Sequence, residues 1–280
     1  MIENNSYLQK VEDILLKNTI QLYYSPAEKE PKHYGSGVLF RHLNRHFILT
    51  ASHMLWGGGK VISANDLAIK EGVNIRTINR IEIVRSNFKT NNTIQRKDDD
   101  EIDIAVIELT QVFVKIIQPQ YDFITIAELG INHCFRLDKE YLICGYPTYR
   151  TSLNDTKKEE KHAGFSGFTK IISQARLDKV KLRPQQIGLN RLKIINCETK
   201  TKASKFEFNG ISGCGLWYLR NFDAVQNQKI EKYLVGLMVY DEKTKNILIA
   251  TKIDMVSELL RQIFNMYDIP KSIINTTIDI

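Results

Sequence analysis

The chain has 280 residues, of which 43% are hydrophobic and 25% are charged. This balance is typical of a globular protein and excludes a disordered one, because a disordered chain has too few apolar residues to form a core. The formal net charge is +7 and the pI is about 9.1. Lysine and arginine are spread among aspartate and glutamate, and no nucleic-acid-binding motif is present. A mildly basic surface is therefore expected rather than a nucleic-acid track.

No stretch approaches the roughly 18 apolar residues that a membrane-spanning helix needs. The first six residues, MIENNS, lack the basic and then apolar layout of a signal peptide. We therefore expect a cytoplasmic protein without membrane contact. The four cysteines form no CxxC pair and no zinc-like spacing, so reduced thiols are expected rather than a disulfide framework. They are Cys134, Cys144, Cys197 and Cys214.

The predicted elements begin with a helix and continue as short strands. Apolar residues at helical spacing predict an amphipathic helix over residues 7–17. The alternation after it predicts a strand at residues 20–24, and residues 35–52 are typical of a hairpin with a polar turn at 41–45. Further strands are predicted at 81–84, 104–107, 141–144, 192–195, 233–239 and 247–250. Many short strands separated by turns favour a barrel or a sandwich.

Two charged stretches, residues 96–103 and 154–162, are predicted to be exposed loops. Near the end of the chain, apolar residues again recur at helical spacing, and Pro270 follows the predicted end of that helix. These apolar residues are Ile253, Val256, Leu259, Leu260 and Ile263.

A histidine directly follows the apolar hairpin strand. Residues 50–53 read Thr-Ala-Ser-His, which places His53 at a strand end, where a side chain can project into a cleft and still be held by the sheet. An imidazole titrates near pH 6.5 and can move a proton at neutral pH, so His53 suits the role of a general base. Considered alone, however, a histidine of the surface or the core is the favoured explanation.

An acidic run at residues 98–103 turns into a strand at its last aspartate. Most of the run is expected to be solvated. Asp103 differs, because apolar residues stand on both sides of it and an aspartate that enters the interior needs a hydrogen-bonding partner. The ring N–H of a histidine would satisfy it.

Three glycines surround one serine in the segment Gly210-Ile211-Ser212-Gly213-Cys214-Gly215. Glycine permits backbone conformations that other residues avoid, and it leaves backbone N–H groups open to a ligand. An oxyanion hole is built in this way, and one such donor is worth about 2.7–4 kcal/mol in a comparable enzyme. A simple glycine-rich turn explains the segment alone equally well.

Taken together, the three patterns resemble the trypsin-like (chymotrypsin-fold) serine peptidases, here of a bacterial intracellular type. That family has TAAH around its histidine, a DIAL-like strand at its aspartate and GxSGG around its serine, and this chain has TASH, DIAV and GISGCG. The order His53, Asp103, Ser212 is also that family's order, whereas subtilisins and α/β-hydrolases have other orders. Supporting landmarks are residues 35–38, 145–147 and 235–237, and the resemblance runs from about residue 35 to 261.

The resemblance implies an all-β fold of two antiparallel six-stranded β-barrels with an N-terminal and a C-terminal helix. The first domain would span residues 1–128 and carry His53 and Asp103, and the second would span residues 129–280 and carry Ser212. The implied function is that of a serine endopeptidase with a catalytic triad and an acyl-enzyme intermediate, whose oxyanion hole is formed by the N–H groups of Gly210 and Ser212. Neither a cofactor nor a metal is expected.

The chain departs from digestive members of the family at several positions. Ile211 stands where they have an aspartate that pairs with a new amino terminus, and no Ile-Val-Gly-Gly activation site is present. We therefore expect activity without zymogen cleavage, with control by a partner or a loop rearrangement. Met54 replaces the cysteine after the histidine, and Cys214 replaces a glycine, which fits reduced, intracellular use; Cys214 is interpreted as a packing residue rather than as a nucleophile.

The substrate pocket is implied by the same resemblance. Phe206 aligns with the position that forms the pocket floor, so no acid would attract lysine or arginine, and an apolar or small substrate side chain is expected. The pocket residues implied by the alignment are Phe206, Val239, Tyr240, Leu248 and Ile249. The expected partners are a protein or peptide substrate and a regulatory or sensor protein, such as members found inside bacteria have.

Two other interpretations remain open at the level of sequence. One is a peptidase-like binding module that recruits another protein without cutting it, although an intact triad argues against it. The other takes His42 and His46, together with His33 or His53, as metal ligands. His42 and His46 flank a predicted turn and no carboxylate or cysteine joins them at a recognised spacing, which argues against a metal site.

Overall fold

A computed structural model describes residues 2–26, 31–57, 60–61, 64–71, 74–85, 102–135, 141–146, 183–187, 191–195, 210–220, 231–242 and 247–273. Its helices are α1 (Ile2–Lys17), α2 (Gln111–Ile117) and α3 (Ile253–Ile263). The strands of the first half are β1 (Thr19–Tyr24), β2 (Lys32–His42), β3 (Arg45–Ala51), β4 (Trp56–Gly57), β5 (Lys60–Val61), β6 (Leu67–Glu71), β7 (Asn74–Thr77), β8 (Arg80–Arg85) and β9 (Ile104–Leu109). Those of the second half are β10 (Tyr141–Cys144), β11 (Arg183–Ile187), β12 (Arg191–Ile195), β13 (Gly215–Arg220), β14 (Glu231–Glu242) and β15 (Ile247–Lys252).

Most of the strands among the described residues belong to two antiparallel sheets. The first has seven strands in the order β7-β6-β1-β2-β3-β9-β8, and the second has six in the order β10-β13-β14-β15-β12-β11; β4 and β5 form a separate pair. Within the described residues, no pairing joins β7 to β8 or β10 to β11, so neither sheet is closed. The mostly β fold and both terminal helices agree with the sequence, and the two closed six-stranded barrels stay a prediction.

The hairpin that leads to His53 is formed by β2 and β3. Phe40 pairs with Phe47 and His42 pairs with Arg45, so the turn contains only residues 43–44 and is shorter than predicted. Leu43 adopts a left-handed backbone with φ of 52°, which a tight two-residue hairpin turn demands. A large exposed apolar residue in that conformation is unusual, which explains why the sequence indicates a longer polar turn.

One core joins the two sheets. A single cluster of buried residues contains side chains from α1, from the hairpin, from the second sheet and from α3. Examples are Leu15, Phe47, Trp217, Leu237 and Leu259. Because the apolar faces of both sheets meet in this cluster, the relative position of the residues that each sheet carries is fixed by packing. The proposed boundary at residues 128 and 129 stays a prediction.

Arg45 connects the hairpin to the C-terminal helix. Its Nε and Nη2 each donate to the Glu108 carboxylate at 2.7 Å, and its Nη1 donates to the carbonyl oxygen of Phe264 at 3.0 Å. The guanidinium also lies 5.0 Å from the ring centroid of Phe264. A bidentate pair of this kind is directional, so the end of α3 is held against the first sheet. Among the described residues, no helix is both long and apolar enough to cross a bilayer.

Candidate active site

His53 and Asp103 are in direct contact. His53 lies just after β3, in a single helical turn formed by Ser52–Leu55. Its Nδ1 is 2.6 Å from Oδ2 of Asp103, and its backbone N–H donates to Oδ1 of the same carboxylate at 2.8 Å. Since an ionised carboxylate only accepts hydrogen bonds, Nδ1 carries the proton and Nε2 has the free lone pair. This is the tautomer that a general base needs.

The backbone of Asp103 has an unusual conformation. Its φ of 53° lies in the left-handed region, which aspartate tolerates better than most residues. The carbonyl oxygen of Asp103 accepts from the N–H of Ser52 at 3.1 Å, and the carbonyl oxygen of Ile102 accepts from the Thr251 hydroxyl at 2.6 Å. Strained residues persist where the surroundings over-determine them. Here strands of both sheets hold the aspartate in place.

Ser212 lies in a tight turn. The N–H of Cys214 donates to the carbonyl oxygen of Ile211 at 2.9 Å, and Gly213 has a φ of 82°. A type II turn requires positive φ at its third residue, which explains the glycine there and places Ser212 at the second position. The turn is connected to the second sheet, because the N–H of Gly213 donates to the carbonyl oxygen of Met238 at 2.7 Å.

The same turn contacts the strands that lead to His53. A Cβ added to Gly213 would lie 2.1 Å from the carbonyl oxygen of Ser36 and 2.1 Å from the hydroxyl of Thr50. The ladder between β2 and β3 ends at the pair Val38 and Leu49, one residue before Thr50. The Ser212 turn therefore packs against β2 at Ser36 and against β3 at Thr50, and only glycine fits at the contact.

The three predicted catalytic residues thus lie in one region, but only two of them are in direct contact. His53 and Asp103 are hydrogen-bonded, whereas no hydrogen bond joins the Ser212 hydroxyl to His53 in the described residues. Of the two proposed oxyanion donors, Ser212 lies in this turn and Gly210 directly precedes it, with a φ of 92°. Neither the N–H of Gly210 nor that of Ser212 donates to an acceptor in the part of the chain that the structure describes.

Part of the implied substrate pocket lies beside His53. One small apolar cluster joins the two sheets at this point, and it consists of Tyr34, Ala51, Met54, Val239 and Ile249. Two of the implied pocket residues, Val239 and Ile249, therefore belong to the same apolar cluster as Met54, which directly follows His53. Tyr240 and Leu248 lie on β14 and β15, where they pair with Ile249 and Asp241. Phe206 lies outside the described residues, as does Cys197.

The departures from the family pattern are packing features. Met54 fills the space over Gly35, whose added Cβ would lie 2.1 Å from the methionine Cε. Cys214 is buried, and the added Cβ of Gly145 would lie 2.9 Å from its sulfur. Burial raises the pKa of the Cys214 thiol well above its usual value, which keeps it protonated and unreactive.

The histidines proposed as metal ligands have other contacts. His42 Nε2 lies 3.0 Å from a carboxylate oxygen of Asp268, and the His46 ring packs edge-on against Phe123. In the described ranges, no group of three or more potential ligand side chains comes together.

Comparisons with known proteins give structural neighbours only. No family model and no curated protein matches the chain. A thermostable serine protease, AL20, from an extremophilic microorganism is 14% identical with a TM-score of 0.48, and the match covers 84% of this chain and 91% of AL20. The Vibrio cholerae protease VesB is 12% identical with a TM-score of 0.48, over 89% of this chain and 64% of VesB.

A Glu endopeptidase is 15% identical with a TM-score of 0.43, over 86% of both chains. These three neighbours are proteases. AL20 and the Glu endopeptidase are matched over 91% and 86% of their own chains. Identities of 12–15% and TM-scores below 0.5 assign no role to any residue of this chain. The role of each residue therefore has to be inferred from its own contacts.

His33, which was considered from the sequence only as a metal ligand, is a buried histidine. The Nε2–H of His33 donates to the carbonyl oxygen of Gly35 at 2.9 Å, and its Nδ1 is buried without a hydrogen-bond partner. Burial lowers the pKa of His33 from 6.5 to about 4, and the bond to Gly35 only partly opposes this. His33 is therefore neutral in the native state at neutral pH.

Acidification is expected to destabilise the protein through His33. Between pH 6.5 and about 4 the unfolded state binds a proton at this residue and the native state does not, so the free energy of unfolding falls as the pH falls. The difference between the pKa of His33 in the unfolded and native states corresponds to a loss of about 3 kcal/mol in the free energy of unfolding. Urea unfolding at pH 7 and near pH 4 measures the loss. His33→Gln, whose amide can donate to Gly35, should reduce it, and an equal loss in both proteins would contradict this assignment.

Proposed function

We propose that this chain is a serine endopeptidase that hydrolyses peptide bonds through His53, Asp103 and Ser212. The main support is the double contact of the Asp103 carboxylate with the Nδ1–H and the backbone N–H of His53. A surface histidine does not need both contacts, and together they fix the ring orientation and the tautomer. The packing of the Ser212 turn against β2 and β3, close to His53, supports the inclusion of Ser212 in the triad.

The proposed reaction begins with proton transfer. His53 Nε2 accepts the proton of the Ser212 hydroxyl while Oγ forms a bond to the carbonyl carbon of the substrate. Asp103 stabilises the resulting imidazolium. The imidazolium then gives its proton to the departing amine, which leaves an acyl group on Ser212. A water molecule, deprotonated by His53, releases the acid and restores the hydroxyl.

The negative charge that develops on the substrate oxygen needs donors that are already in position. The N–H groups of Gly210 and Ser212 are suited to this role because they lie within two residues of the nucleophile and have no other described acceptor. Gly210 has no side chain to cover the approach of the substrate. In a comparable enzyme, removal of one donor of this type lowers kcat by a factor of about 10²–10³.

The chain is proposed to be active without cleavage of an N-terminal segment. Ile211 is buried in an apolar cluster of the second sheet, with Ile143 and Met238 among its neighbours. That environment has no place for the charged pair that activates digestive members. Control by a regulatory or sensor protein, a cytoplasmic location and a preference for small or apolar substrate side chains are parts of the same proposal.

A fluorophosphonate probe tests the proposed function. The wild-type protein is expected to be labelled on the peptide that contains Ser212, because the probe reacts with an activated serine hydroxyl and loses fluoride. Ser212→Ala should not be labelled. Ser257→Ala is a suitable control, since Ser257 is a buried serine of α3 that lies outside the site. Peptide mapping by mass spectrometry identifies the modified residue.

The two opposite outcomes have distinct meanings. A folded wild-type protein that resists the probe would reject the peptidase and favour the silent binding module. Equal labelling of the wild type and Ser212→Ala would assign the nucleophile to another residue.

A further inference from the structure

Ser36 on β2 has four hydrogen bonds around the proposed nucleophile. Its Oγ donates to the carbonyl oxygen of Gly210 at 3.0 Å and accepts from the N–H of Tyr146 at 3.0 Å. Its N–H donates to the carbonyl oxygen of Ser212 at 2.9 Å. Its own carbonyl oxygen accepts from the Thr50 hydroxyl at 2.8 Å. Ser36 itself is fully buried.

Two of these bonds hold the segment that contains the proposed oxyanion donors. They end on the carbonyl oxygens of Gly210 and Ser212, one at each end of that segment. A glycine with a φ of 92° has many alternative conformations, because it lacks a Cβ to exclude them. The two bonds fix the peptide planes 210–211 and 212–213. The N–H of Ser212 lies in the plane between these two, and the N–H of Gly210 lies in the plane just before the first. The directions of both N–H groups therefore depend on this anchor.

The other two bonds hold Ser36 itself. Tyr146 follows β10 of the second sheet, and Thr50 is three residues before His53 on β3. A hydroxyl has one proton and two lone pairs, so Oγ can serve Gly210 and Tyr146 at the same time. The turn, the loop after β10 and the strand of the general base are thereby joined at one residue.

We propose that Ser36 is a positioning residue, which orients the Gly210–Ser212 segment so that its N–H groups meet the oxyanion. The proposal rests on the proposed function and adds a residue that does not touch the substrate. Alanine at position 36 removes both Oγ bonds, so that the buried Gly210 loses the donor to its carbonyl oxygen and Tyr146 loses the acceptor of its N–H. It keeps the backbone bond to Ser212. The expected defect is therefore a misplaced oxyanion segment next to an intact His53 and Asp103 pair.

The test compares Ser36→Ala with Ser257→Ala. The control removes a hydroxyl that is also fully buried and also donates to a backbone carbonyl oxygen, that of Asp254 at 2.7 Å. For an activated p-nitrophenyl ester, Ser36→Ala should lower kcat by about 10-fold to about 100-fold with little change in KM. The rate of fluorophosphonate labelling should fall by a similar factor. The pH midpoint of kcat should stay the same, because the contacts of His53 are retained, and Ser257→Ala should keep the wild-type rates.

The outcomes separate this proposal from the proposed function. If the wild type reacts and folded Ser36→Ala reacts at the same rate, the positioning role is rejected and the peptidase stands. If the wild type does not react at all, both are rejected. If Ser36→Ala fails to fold, Ser36→Cys replaces it, since a thiol of similar size fills the site but donates weakly. Wild-type kcat in folded Ser36→Cys would then reject the role.

Discussion

His53→Ala is expected to lower kcat for peptide hydrolysis by about six orders of magnitude, with KM little changed. The variant has no group that can accept the Ser212 proton or return it to the leaving amine, and loss of the base in a comparable triad has an effect of this size. Substrate binding does not use the imidazole, which is why KM is spared. Steady-state rates on a peptide chosen from a library, with the fold checked by circular dichroism, measure the effect.

The chain offers a matched control for this variant. His42 also pairs with a carboxylate, that of Asp268 at 3.0 Å, and it lies at the far end of the hairpin from the site. His42→Ala should keep kcat close to that of the wild type. A His53→Ala protein that retained more than about a hundredth of wild-type kcat would contradict the role of His53 as the base.

Asp103→Asn should lower kcat by about four orders of magnitude while the protein stays folded. An amide nitrogen in the place of Oδ2 cannot accept a hydrogen bond from Nδ1–H. The imidazole then adopts the tautomer with its proton on Nε2, and Nε2 cannot take the proton of Ser212. Asparagine is the right replacement because it tolerates a φ of 53°, as alanine does not. The backbone of the loop should therefore be preserved.

Asp268→Asn is the control for Asp103→Asn, because it makes the same change in the other histidine–aspartate pair. It should leave kcat unchanged. Thermal unfolding and rates on the same peptide compare the two variants. A loss smaller than about tenfold in Asp103→Asn would show that the carboxylate is not needed to hold the tautomer, and the triad would have to be abandoned.

Several local features around His53, Asp103 and Ser212 could be predicted from the sequence. A strand end places His53, an apolar environment gives Asp103 a need for a partner, and three glycines around Ser212 predict an unusual turn. Each of these signals lies within a few residues of the side chain it concerns. The contact between His53 and Asp103, which are 50 residues apart, was inferred from the resemblance and from the need of a buried carboxylate for a donor.

Other features of the site were not predictable because they depend on distant contacts. Ser36 and Gly210 are 174 residues apart, and nothing near a serine between two glycines indicates that its hydroxyl will bond to a turn in the other sheet. The left-handed backbone of Asp103 likewise lies between two distant contacts: its own carbonyl oxygen accepts from the N–H of Ser52, and that of Ile102 accepts from the Thr251 hydroxyl. The periodicity of apolar residues indicates which face of a strand is buried, but it does not indicate hydrogen bonds between residues that are far apart in the sequence.

Some elements of the fold were missed for local reasons. Helix α2 is rich in β-branched and aromatic residues, which favour strands, but the hydroxyl of Thr110 caps its start by accepting from the N–H of Phe113 at 3.3 Å. Strand β13 begins at Gly215, directly after the Ser212 turn. It was not predicted because a glycine-rich segment indicates a turn rather than a strand. The short strands β6 and β7, at one edge of the first sheet, were also not predicted.

The distance between Nε2 of His53 and Oγ of Ser212 is the most direct test of the proposed triad. An experimental structure of the protein, free and after fluorophosphonate labelling, measures it. We expect the two atoms to come within about 3 Å of each other in at least one of these states, and a phosphoryl oxygen of the adduct to accept from the N–H groups of Gly210 and Ser212. An imidazole that stays far from the serine in both structures would contradict the triad.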